Sequence, residues 1–440
     1  MKKLLCLLIL LLPVTAFAEE QLYPAMDENG LWGYINAQAE WVIAPQFDGA
    51  GEFRGDYATV MVYPEGFVPD PDDPMSLFGV PCEGIIDRTG AFVLEPIAEY
   101  IDPGYDGGYY GGKDTGIWVI STADGEGFFD IPSGYCSSFD VWVWPWVSDS
   151  RLIPVNGGYM DRTNGKMVIS GDFYAVDPGC FHDGIVAASY TDVKGEPIKF
   201  FMMNEKGNVI RLPYGVSTVY AACYSDGRMV VVDENERYGY ADGEGNIVIP
   251  MQYKHASDFS EGYAEVEFFD GDCGFIDVDG NVLARGFTWT WPFRDGYAKV
   301  GLSGTTKPDS VTGFINRQGE IVPFMDSDRF AAISEERIWQ LFGDGFWDSV
   351  LLLDSQGNVL TSEAYELPEY DYPYFAEGLQ AVGTADGWGY INPDGKVVIP
   401  LQFTCAWNFD GELASVRMGN QRGYIDKSGN VVYMWDSPID

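Results

Sequence analysis

The sequence repeats itself, and this internal repetition constrains the fold more than any other feature. The stretch WGYINPDGKVVIPLQFTCAWNFDGELASV begins at Trp388, and a close relative, WGYINAQAEWVIAPQFDGAGEFRGDYATV, begins at Trp32. The residue after glycine in the pattern GYI(N/D)xxG marks each copy, and eleven copies follow one another at a mean spacing of 39 residues. The markers are Tyr34, Ile85, a degenerate copy near Trp118, Tyr159, Met202, Tyr240, Phe275, Phe314, Leu352, Tyr390 and Tyr424. Such a period is typical of solenoids, propellers and other repeat arrays.

Each copy has the pattern of a β-meander. Short runs such as YAEV, GFID and NVL alternate apolar and polar residues, and Gly and Asp separate them. The loop D-x-x-G suits a hairpin in which Asp accepts a hydrogen bond from its own turn and Gly takes positive φ, as at residues 277–280. We expect Pro250, Pro323 and Pro400 to end a strand, because proline cannot donate to a ladder. The aromatic-x-x-Ala-x-x-Phe segment that follows is expected to form a single helical or 3₁₀ turn.

Repetition also explains how such a chain becomes stable. One unit alone cannot bury its aromatic rings, whereas stacked neighbours share one continuous apolar core. The predicted fold is an all-β tandem array of about eleven antiparallel β-meander repeats, with a Pro- and Asp-rich loop insertion near residues 61–82. Units are complete from Leu22 to just after Val432, which leaves no half-unit to clasp the first and favours an open, solenoid-like stack. A closed or part-closed β-propeller is the alternative, since a blade has about the same length and strand number.

The motif W-G-Y-I-N, the following V-I-P run and the F-x-E-G-L/Y-A-x-V run recur along nearly all of the mature chain. With these motifs the chain resembles WG-repeat proteins of bacterial type. The residues that carry the resemblance as structural markers are Trp32, Gly33, Tyr34, Tyr240, Phe275, Trp388, Gly389, Tyr390 and Tyr424. The resemblance implies a β-rich tandem repeat, often exported, and it supplies no catalytic motif.

The N-terminal residues predict export. Two lysines precede an apolar run at residues 4–14 and a small-x-small site that ends at Ala18. This pattern is typical of a cleavable secretory signal peptide, so we expect residues 1–18 to be removed and residues 19–440 to form the repeat region. No later stretch is apolar enough to span a bilayer. The predicted location is secreted or periplasmic.

The chain is strongly acidic, which limits its partners. It has 67 Asp and Glu against 26 Lys and Arg, a formal net charge of −41. Such a charge repels nucleic acid and anionic lipid surfaces. Because 46% of the residues are hydrophobic, the acidic residues are expected to coat a folded surface. Six widely spaced cysteines follow Cys6, and their spacing does not assign disulfide pairs.

The sequence shows no catalytic constellation. His182 and His255 are the two histidines, and sister copies hold unrelated residues at both places, so we expect neither to act as a catalytic base. Most carboxylates recur beside turns, which indicates turn geometry. No cofactor and no metal site are expected. Calcium at the oxygen-rich residues 277–281 is the alternative, although the spaced loop with a distal Glu is absent.

The stretch VWVWPWV departs most from the repeat unit. Trp142, Trp144 and Trp146 share one face of an extended strand, and Trp289 and Trp291 form a second WxW at a comparable place. In one interpretation, these tryptophan rings fill gaps between degenerate repeats. In the other they form an exposed aromatic platform on which a sugar or a peptide stacks. These five tryptophans are the candidate binding residues.

The predicted function is a secreted, non-catalytic repeat protein that offers a binding or scaffolding surface to an extracellular or cell-surface protein or polysaccharide. The alternative is a glycan-binding or glycan-processing protein, similar in chemistry to glycoside hydrolases. This alternative would be recognised by two acids that occupy different positions of the repeat and converge beside an aromatic platform. A purely structural spacer is the third hypothesis.

Overall fold

The described residues fold into eleven small antiparallel sheets, which we number in chain order. The computed structural model describes residues 20–437 except 68–79, 81, 103–115, 142–149, 156, 171–172, 176–180, 191–199, 220–221, 303–312, 324–328, 335–336, 343–348, 355 and 369–373. This part of the chain contains forty strands, and none of its residues is helical.

Sheets 1 to 4 hold the first fourteen strands. Sheet 1 comprises β1 (Tyr23–Met26), β2 (Trp32–Ile35) and β3 (Trp41–Phe47); sheet 2 comprises β4 (Gly49–Ala50), β5 (Tyr57–Met61), β6 (Glu83–Asp87) and β7 (Phe92–Ala98). Sheet 3 comprises β8 (Tyr100–Asp102), β9 (Ile117–Thr122), β10 (Gly125–Asp130) and β11 (Tyr135–Cys136); sheet 4 comprises β12 (Leu152–Val155), β13 (Gly158–Asp161) and β14 (Lys166–Ser170).

Sheets 5 to 8 have four strands each. Sheet 5 comprises β15 (Phe173–Ala175), β16 (Ile185–Tyr190), β17 (Phe200–Asn204) and β18 (Val209–Ile210); sheet 6 comprises β19 (Val216–Thr218), β20 (Met229–Asp233), β21 (Tyr238–Ala241) and β22 (Ile247–Tyr253). Sheet 7 comprises β23 (His255–Ala256), β24 (Tyr263–Glu267), β25 (Cys273–Asp277) and β26 (Val282–Phe287); sheet 8 comprises β27 (Trp289–Thr290), β28 (Tyr297–Gly301), β29 (Gly313–Asn316) and β30 (Ile321–Pro323).

Sheets 9 to 11 complete the array. Sheet 9 comprises β31 (Arg329–Ser334), β32 (Arg337–Phe342) and β33 (Ser349–Leu353); sheet 10 comprises β34 (Gln380–Thr384), β35 (Gly387–Ile391) and β36 (Val397–Phe403). Sheet 11 comprises β37 (Cys405–Asp410), β38 (Leu413–Met418), β39 (Gln421–Asp426) and β40 (Val431–Asp436).

Every sheet is a meander, because its strands are neighbours in space in the order in which they occur in the chain. We call the four positions first, second, third and last strand. In sheets 1, 4 and 10 the described strands are the second, third and last; in sheet 9 they are the first three, and Val359 forms a single bridge with Leu353 in place of the last. The predicted all-β array of about eleven antiparallel meanders is confirmed.

Two local expectations were wrong. The aromatic-x-x-Ala-x-x-Phe segment forms no helical turn; it crosses from the last strand of one sheet to the first strand of the next, as at β22 and β23. Pro250 and Pro400 do not end a strand, because β22 and β36 run through them. Each of these strands lies at the edge of its sheet, where one side of the backbone has no ladder partner and proline is tolerated.

The third copy also has a different centre from the one expected near Trp118. Trp118 lies on the second strand of sheet 3, and the marker place on the third strand is taken by Phe128, which follows Gly127. Both aromatic side chains are buried. This copy therefore retains the motif glycine, as Gly127. Its marker lies one strand later than the sequence interpretation placed it.

Apolar clusters join every pair of neighbouring sheets. The largest cluster spans sheets 5, 6 and 7, and eight others each join two consecutive sheets between 1 and 11. A tenth cluster joins Tyr23, Ala25 and Ile35 of sheet 1 to Tyr424 and Trp435 of sheet 11. An open stack lacks this last interface, whereas a ring requires it. The contact between sheets 11 and 1, which we call the closing contact, is thus the one that a closed β-propeller requires.

Hydrogen bonds and rings reinforce the closing contact. The Tyr23 hydroxyl donates to the carbonyl of Asp410 at 2.9 Å, and the Tyr424 hydroxyl donates to the carbonyl of Pro24 at 2.8 Å. The Trp32 and Trp435 rings meet edge to face with centroids 5.7 Å apart. Residues that are about 400 positions apart in the chain therefore form one apolar interface.

Candidate binding surfaces

The glycine of the W-G-Y motif permits a close approach of two strands. A Cβ on Gly33 would lie 2.5 Å from the carbonyl oxygen of Ile43, and one on Gly389 would lie 2.5 Å from that of Ile399. The approach arises because the last strand bulges at this point: Trp388 is paired with Phe403 but Tyr390 is paired with Ile399. The bulge explains the motif as a packing requirement within each sheet.

Where the marker is tyrosine, as in sheets 1, 6 and 10, its hydroxyl fastens that sheet to the next. The hydroxyls of Tyr34, Tyr240 and Tyr390 donate to the backbone carbonyl seventeen residues later, at 2.9, 2.7 and 2.7 Å. These rings are fully buried, and burial raises the pKa of each phenol well above its usual value. Because the hydroxyl is the donor of a buried hydrogen bond, the marker tyrosine acts as a structural residue.

Many carboxylates are held by the turns, as their recurrence in the sequence indicates. Asp277 Oδ1 accepts hydrogen bonds from the backbone N–H groups of Asp279 at 3.0 Å and Asn281 at 2.8 Å. Although partial burial acts to raise the pKa of Asp277, these bonds outweigh it and lower the pKa. Gly280 has a φ of 81°, as the turn requires. Among the described residues, no group of three or more His, Cys, Asp or Glu side chains is placed to hold a metal ion.

Three of the five candidate tryptophans lie outside the described residues. Trp142, Trp144 and Trp146 belong to the segment 142–149. Their role as an aromatic platform stays a prediction.

The other two tryptophans have different surroundings. Trp289 is half-buried against the cluster of Phe314 and Leu353 between sheets 8 and 9, and its Nε1 is buried without a hydrogen-bond partner. Trp291 is 45% exposed, and Lys299 Nζ lies 5.8 Å from the centroid of its ring. Trp289 therefore fills space between sheets, and Trp291 is the one of the pair that presents its ring to solvent.

Two carboxylates that the sequence reading did not single out surround one hydroxyl. The Tyr240 hydroxyl donates to the Ser257 carbonyl, and its pKa is raised first by burial and then by nearby negative charges, among them those of Asp258 and Glu265. Asp258 and Glu265 occupy different positions of the repeat. They are nonequivalent in repeat position, which is one of the conditions of the glycan-processing hypothesis.

The environments of these two acids differ. Asp258 Oδ2 accepts from the backbone N–H of Cys223 at 3.0 Å, whereas its Oδ1 is buried without a partner. Burial raises the pKa of Asp258 to about 6 and that of Glu265 to about 7, against the opposing effect of hydrogen bonds from Thr290 and Ser257 to Glu265. A comparison of copies could have found Glu265, because equivalent positions hold hydroxyl residues such as Thr59 and Ser415; at the position of Asp258, other copies hold Asn408 and Glu52.

A second feature absent from the sequence interpretation is a row of exposed apolar side chains. In ten of the eleven sheets, within the part of the chain that the structure describes, at least one exposed apolar residue follows the turn into the last strand. We call this row the apolar belt: Trp41, Val42, Phe92, Val93, Met167, Val168, Val209, Val248, Val282, Ile321, Val359, Val397, Val398 and Val431. The sequence signal is the apolar pair after the turn glycine, as in GNIV and GKVV.

The belt positions of neighbouring sheets lie beside one another, except at sheet 3, which contributes no described belt residue. The turn glycine of each sheet packs on the apolar residue that follows the belt position of the previous sheet: a Cβ on Gly90 would lie 2.9 Å from Ile43 Cγ2, and one on Gly280 would lie 3.4 Å from Ile249 Cγ1. The same contact recurs for Gly207 on Ile169, Gly319 on Leu283 and Gly429 on Ile399. Exposed residues such as Val42 therefore follow one another along one edge of the array.

The family model for the WG containing repeat matches residues 32–63, 238–271, 274–304 and 388–421. This chain contains WG repeats. Each matched WG repeat begins in the third strand of one sheet and extends through the second strand of the next. A single repeat therefore contributes to two sheets, and in the three matched repeats that have a marker tyrosine it includes the backbone carbonyl to which that tyrosine binds.

Several solved structures are similar in fold. The chain is 10% identical to a eukaryotic initiation factor, with a TM-score of 0.38 and coverage of 79% of this chain and 96% of that one. It is 12% identical to the Dos1 propeller, with a TM-score of 0.28 and coverage of 58% and 84%. For BamB from Moraxella catarrhalis the identity is 13%, the TM-score 0.27 and the coverage 57% and 79%.

No curated protein matches the chain. Within the described residues there is also no helix of the length and apolarity that crossing a membrane requires.

Proposed function

We propose that this WG-repeat protein is an exported, non-catalytic binding protein that uses its apolar belt to hold an extracellular or cell-surface macromolecule. The observation that carries the proposal is the recurrence of exposed apolar side chains at one position in ten described sheets. Isolated exposed apolar residues are ordinary, but contiguous ones mark interaction surfaces.

The proposal has a physical basis in the edge strands. The last strand of a sheet has a free edge, and edges are usually protected by charge or proline because they invite association. Pro250 and Pro400 occupy that edge and prevent a regular ladder, while Val248 and Val398 stay exposed beside them. Association through side chains is therefore favoured over strand addition.

The export half of the proposal rests on the N-terminal pattern of residues 1–18, a charged start followed by an apolar run and a small-x-small site. The expected location is secreted or periplasmic.

The test is a binding assay with the mature protein, residues 19–440, on isolated cell-wall polymers and on purified surface proteins of the producing cell. A belt variant replaces Val42, Val93, Val248, Val282 and Val398 by Thr, which keeps the side-chain shape. A control variant replaces Phe269 and Met418, which are exposed outside the belt, by Ser. We expect the belt variant alone to lose binding about tenfold or more. Equal binding by the belt variant and the wild type would refute the proposal.

A second candidate function, glycan processing, is favoured by Asp258 and Glu265, two acids on backbone segments that hydrogen-bond to each other through Ser257. Its test is release of reducing ends from a polysaccharide panel by the wild type and by Glu265→Gln and Asp258→Asn. Asp279→Asn, in an exposed turn, is the matched control. Loss of activity in the first two variants alone would support this function, and inactivity of the wild type would exclude it for the panel.

A further inference from the structure

The apolar belt is not uniform, and its most aromatic part lies where the ring closes. Trp41 in sheet 1 and Phe92 in sheet 2 are the two aromatic residues of the described belt, and both are partly exposed. In sheets 5 to 8 the same position holds Val or Ile. Aromatic side chains are enriched among the residues that dominate binding energy, so this part is the strongest anchor on the belt.

Each aromatic residue of the belt packs against a ring of a neighbouring strand or sheet. The Trp41 ring meets the Tyr433 ring of sheet 11 edge to face with centroids 5.7 Å apart, and the Phe92 ring meets the Phe47 ring with centroids 6.1 Å apart. Tyr100, which follows the last strand of sheet 2, is 55% exposed. We call the exposed apolar residues of this region, together with the partly buried Tyr433, the seam patch: Trp41, Val42, Phe92, Val93, Ile97, Tyr100, Val431 and Tyr433.

Acidic side chains surround the seam patch. Glu40 is exposed immediately before Trp41, and Glu95 is exposed within the last strand of sheet 2. The negative charges of Asp27 and Glu28 help to raise the pKa of Tyr433, after burial as the main cause, so these carboxylates lie near the patch as well. An apolar centre with an acidic rim is complementary to a surface that presents apolar side chains between lysines and arginines.

The net charge of the chain disfavours anionic occupants. A second copy would bring its own formal charge of −41 against the same acidic rim. Anionic polymers would meet the same repulsion. A cationic protein surface is attracted to the acidic rim that repels a second copy and anionic polymers. This attraction also accelerates its association.

We propose that the seam patch docks a basic protein segment in which apolar side chains alternate with lysine or arginine. The proposal rests on the proposed binding function and deepens it by naming the part of the belt and the class of partner. Because residues from both ends of the chain form the patch, the bound segment also stabilises the closed ring. Binding is therefore expected to raise the melting temperature of the protein.

The probe is a soluble peptide that alternates leucine with lysine, compared with a peptide that has glutamate in place of lysine. Binding to the mature protein is measured by fluorescence anisotropy at low and high salt. The rim variant combines Glu40→Lys with Glu95→Lys. The matched control combines Glu244→Lys with Asp279→Lys, which are exposed acidic residues of turns in sheets 6 and 7 and give the same change in net charge.

We expect the lysine peptide to bind and the glutamate peptide not to bind. We expect the rim variant to lose about tenfold in affinity and the control to change less, because local charge decides the interaction. High salt should weaken binding. No binding of the lysine peptide by the wild type, or an equal loss in both variants, would overturn the proposal.

A Trp41→Ser, Phe92→Ser variant and the belt variant separate this inference from the proposed function. If the belt variant loses macromolecular binding but the Trp41, Phe92 variant keeps it, the belt functions and the seam patch is not its anchor. If the Trp41, Phe92 variant loses binding to an insoluble polysaccharide instead, the occupant is a glycan and the assignment of a basic protein segment fails. If neither variant changes any binding, both proposals fail.

Discussion

The interface between sheets 10 and 11 and the interface between sheets 11 and 1 have the same chemistry but different origins in the chain. In the first, the Tyr390 hydroxyl donates to the carbonyl of Trp407, seventeen residues later. In the second, the Tyr424 hydroxyl donates to the carbonyl of Pro24, 400 residues earlier. Each bond accompanies a buried apolar cluster. We call them the regular interface and the closing interface.

The comparison teaches that a repeated residue can keep its role while its partner changes. Tyr390 and Tyr424 look alike in the sequence, and both find a backbone carbonyl in the next sheet of the ring. The partner of Tyr390 is set by local connectivity, whereas that of Tyr424 exists only if the ring closes. Loop closure costs more entropy for distant residues, so the closing interface should be the easier one to open.

Removal of the largest closing ring should separate the two interfaces most clearly. Trp435→Ala deletes a buried ring that packs against Trp32 and Tyr424, and we expect a loss of about 3 to 5 kcal/mol from the closing interface. Hydrogen exchange should then increase first in β1. Phe409→Ala in the regular interface is the matched variant, and there exchange should increase first in β37 and β38. The same exchange pattern in both variants would contradict the distinction.

Substitution of the motif glycine should destabilise its own sheet whether or not the closing interface is formed. A Cβ on Gly389 would meet the Ile399 carbonyl oxygen at 2.5 Å, so Gly389→Ala must displace backbone and should cost about 2 to 3 kcal/mol. Gly419→Ala, in an open loop with a φ of 60°, should cost about 1 kcal/mol for its backbone conformation alone. Equilibrium urea unfolding measures both. A larger loss for Gly419→Ala would refute the close-approach explanation of the motif.

The interface between sheets 6 and 7 is built like the regular interface, but it contains a carboxyl group that titrates, that of Asp258. Asp258 stands where Asn408 stands in the regular interface, and its pKa is raised to about 6 by burial. For an acid with a raised pKa, the stability contributed by its protonated form is present below its unfolded pKa, near pH 4, and is lost as the pH rises through 6. Asp258→Asn should therefore match the wild type below pH 4.

Above pH 7, the same variant should be more stable than the wild type by about 1 to 2 kcal/mol, since the side chain is only partly buried. Glu265→Gln should behave in the same way one pH unit higher, because the pKa of Glu265 is raised to about 7. Thermal unfolding across this pH range is the measurement, with Asp279→Asn as the exposed control. A gain that does not depend on pH would contradict the assignment.

Loss of a single hydroxyl should give the smallest effect. Tyr424→Phe and Tyr390→Phe each leave a carbonyl without its donor and should cost about 1 kcal/mol. The difference lies in where protection is lost: at β1 for Tyr424→Phe, and at residues 405–409 for Tyr390→Phe. Amide exchange resolves the two sites. If both variants lost protection only near the mutated residue, the hydroxyls would not fasten neighbouring sheets.

The sequence predicted the repeat and its strands well because their causes are local. The turn at residues 277–280 has the hydrogen bonds and the positive φ that Asp and Gly predicted. The predicted helical turn failed because its three-residue spacing also suits a chain that passes from one sheet to the next. The placement of proline failed because an edge strand accepts Pro250 without loss of a ladder bond.

The candidate surfaces were harder to predict because they depend on contacts between different sheets. The exposed valines of the belt have the sequence pattern of buried strand residues, and the burial of Ile249 next to exposed Val248 depends on the bulge and on the neighbouring sheet. Asp258 lies in the loop that leads into β24 and Glu265 lies in β24, whereas their shared neighbour Tyr240 belongs to another sheet. Sequence spacing does not reveal which residues of different sheets meet.

By itself, the sequence determined the number of units, the order of their strands, the turns between them and the acidic surface, since each depends on residues within a few positions of one another. The tertiary structure decided that the ends meet, that one edge carries exposed apolar residues in ten of the described sheets, and that this belt becomes aromatic where the ring closes. These properties depend on residues up to 400 positions apart, and only the packing of one sheet on the next brings them together.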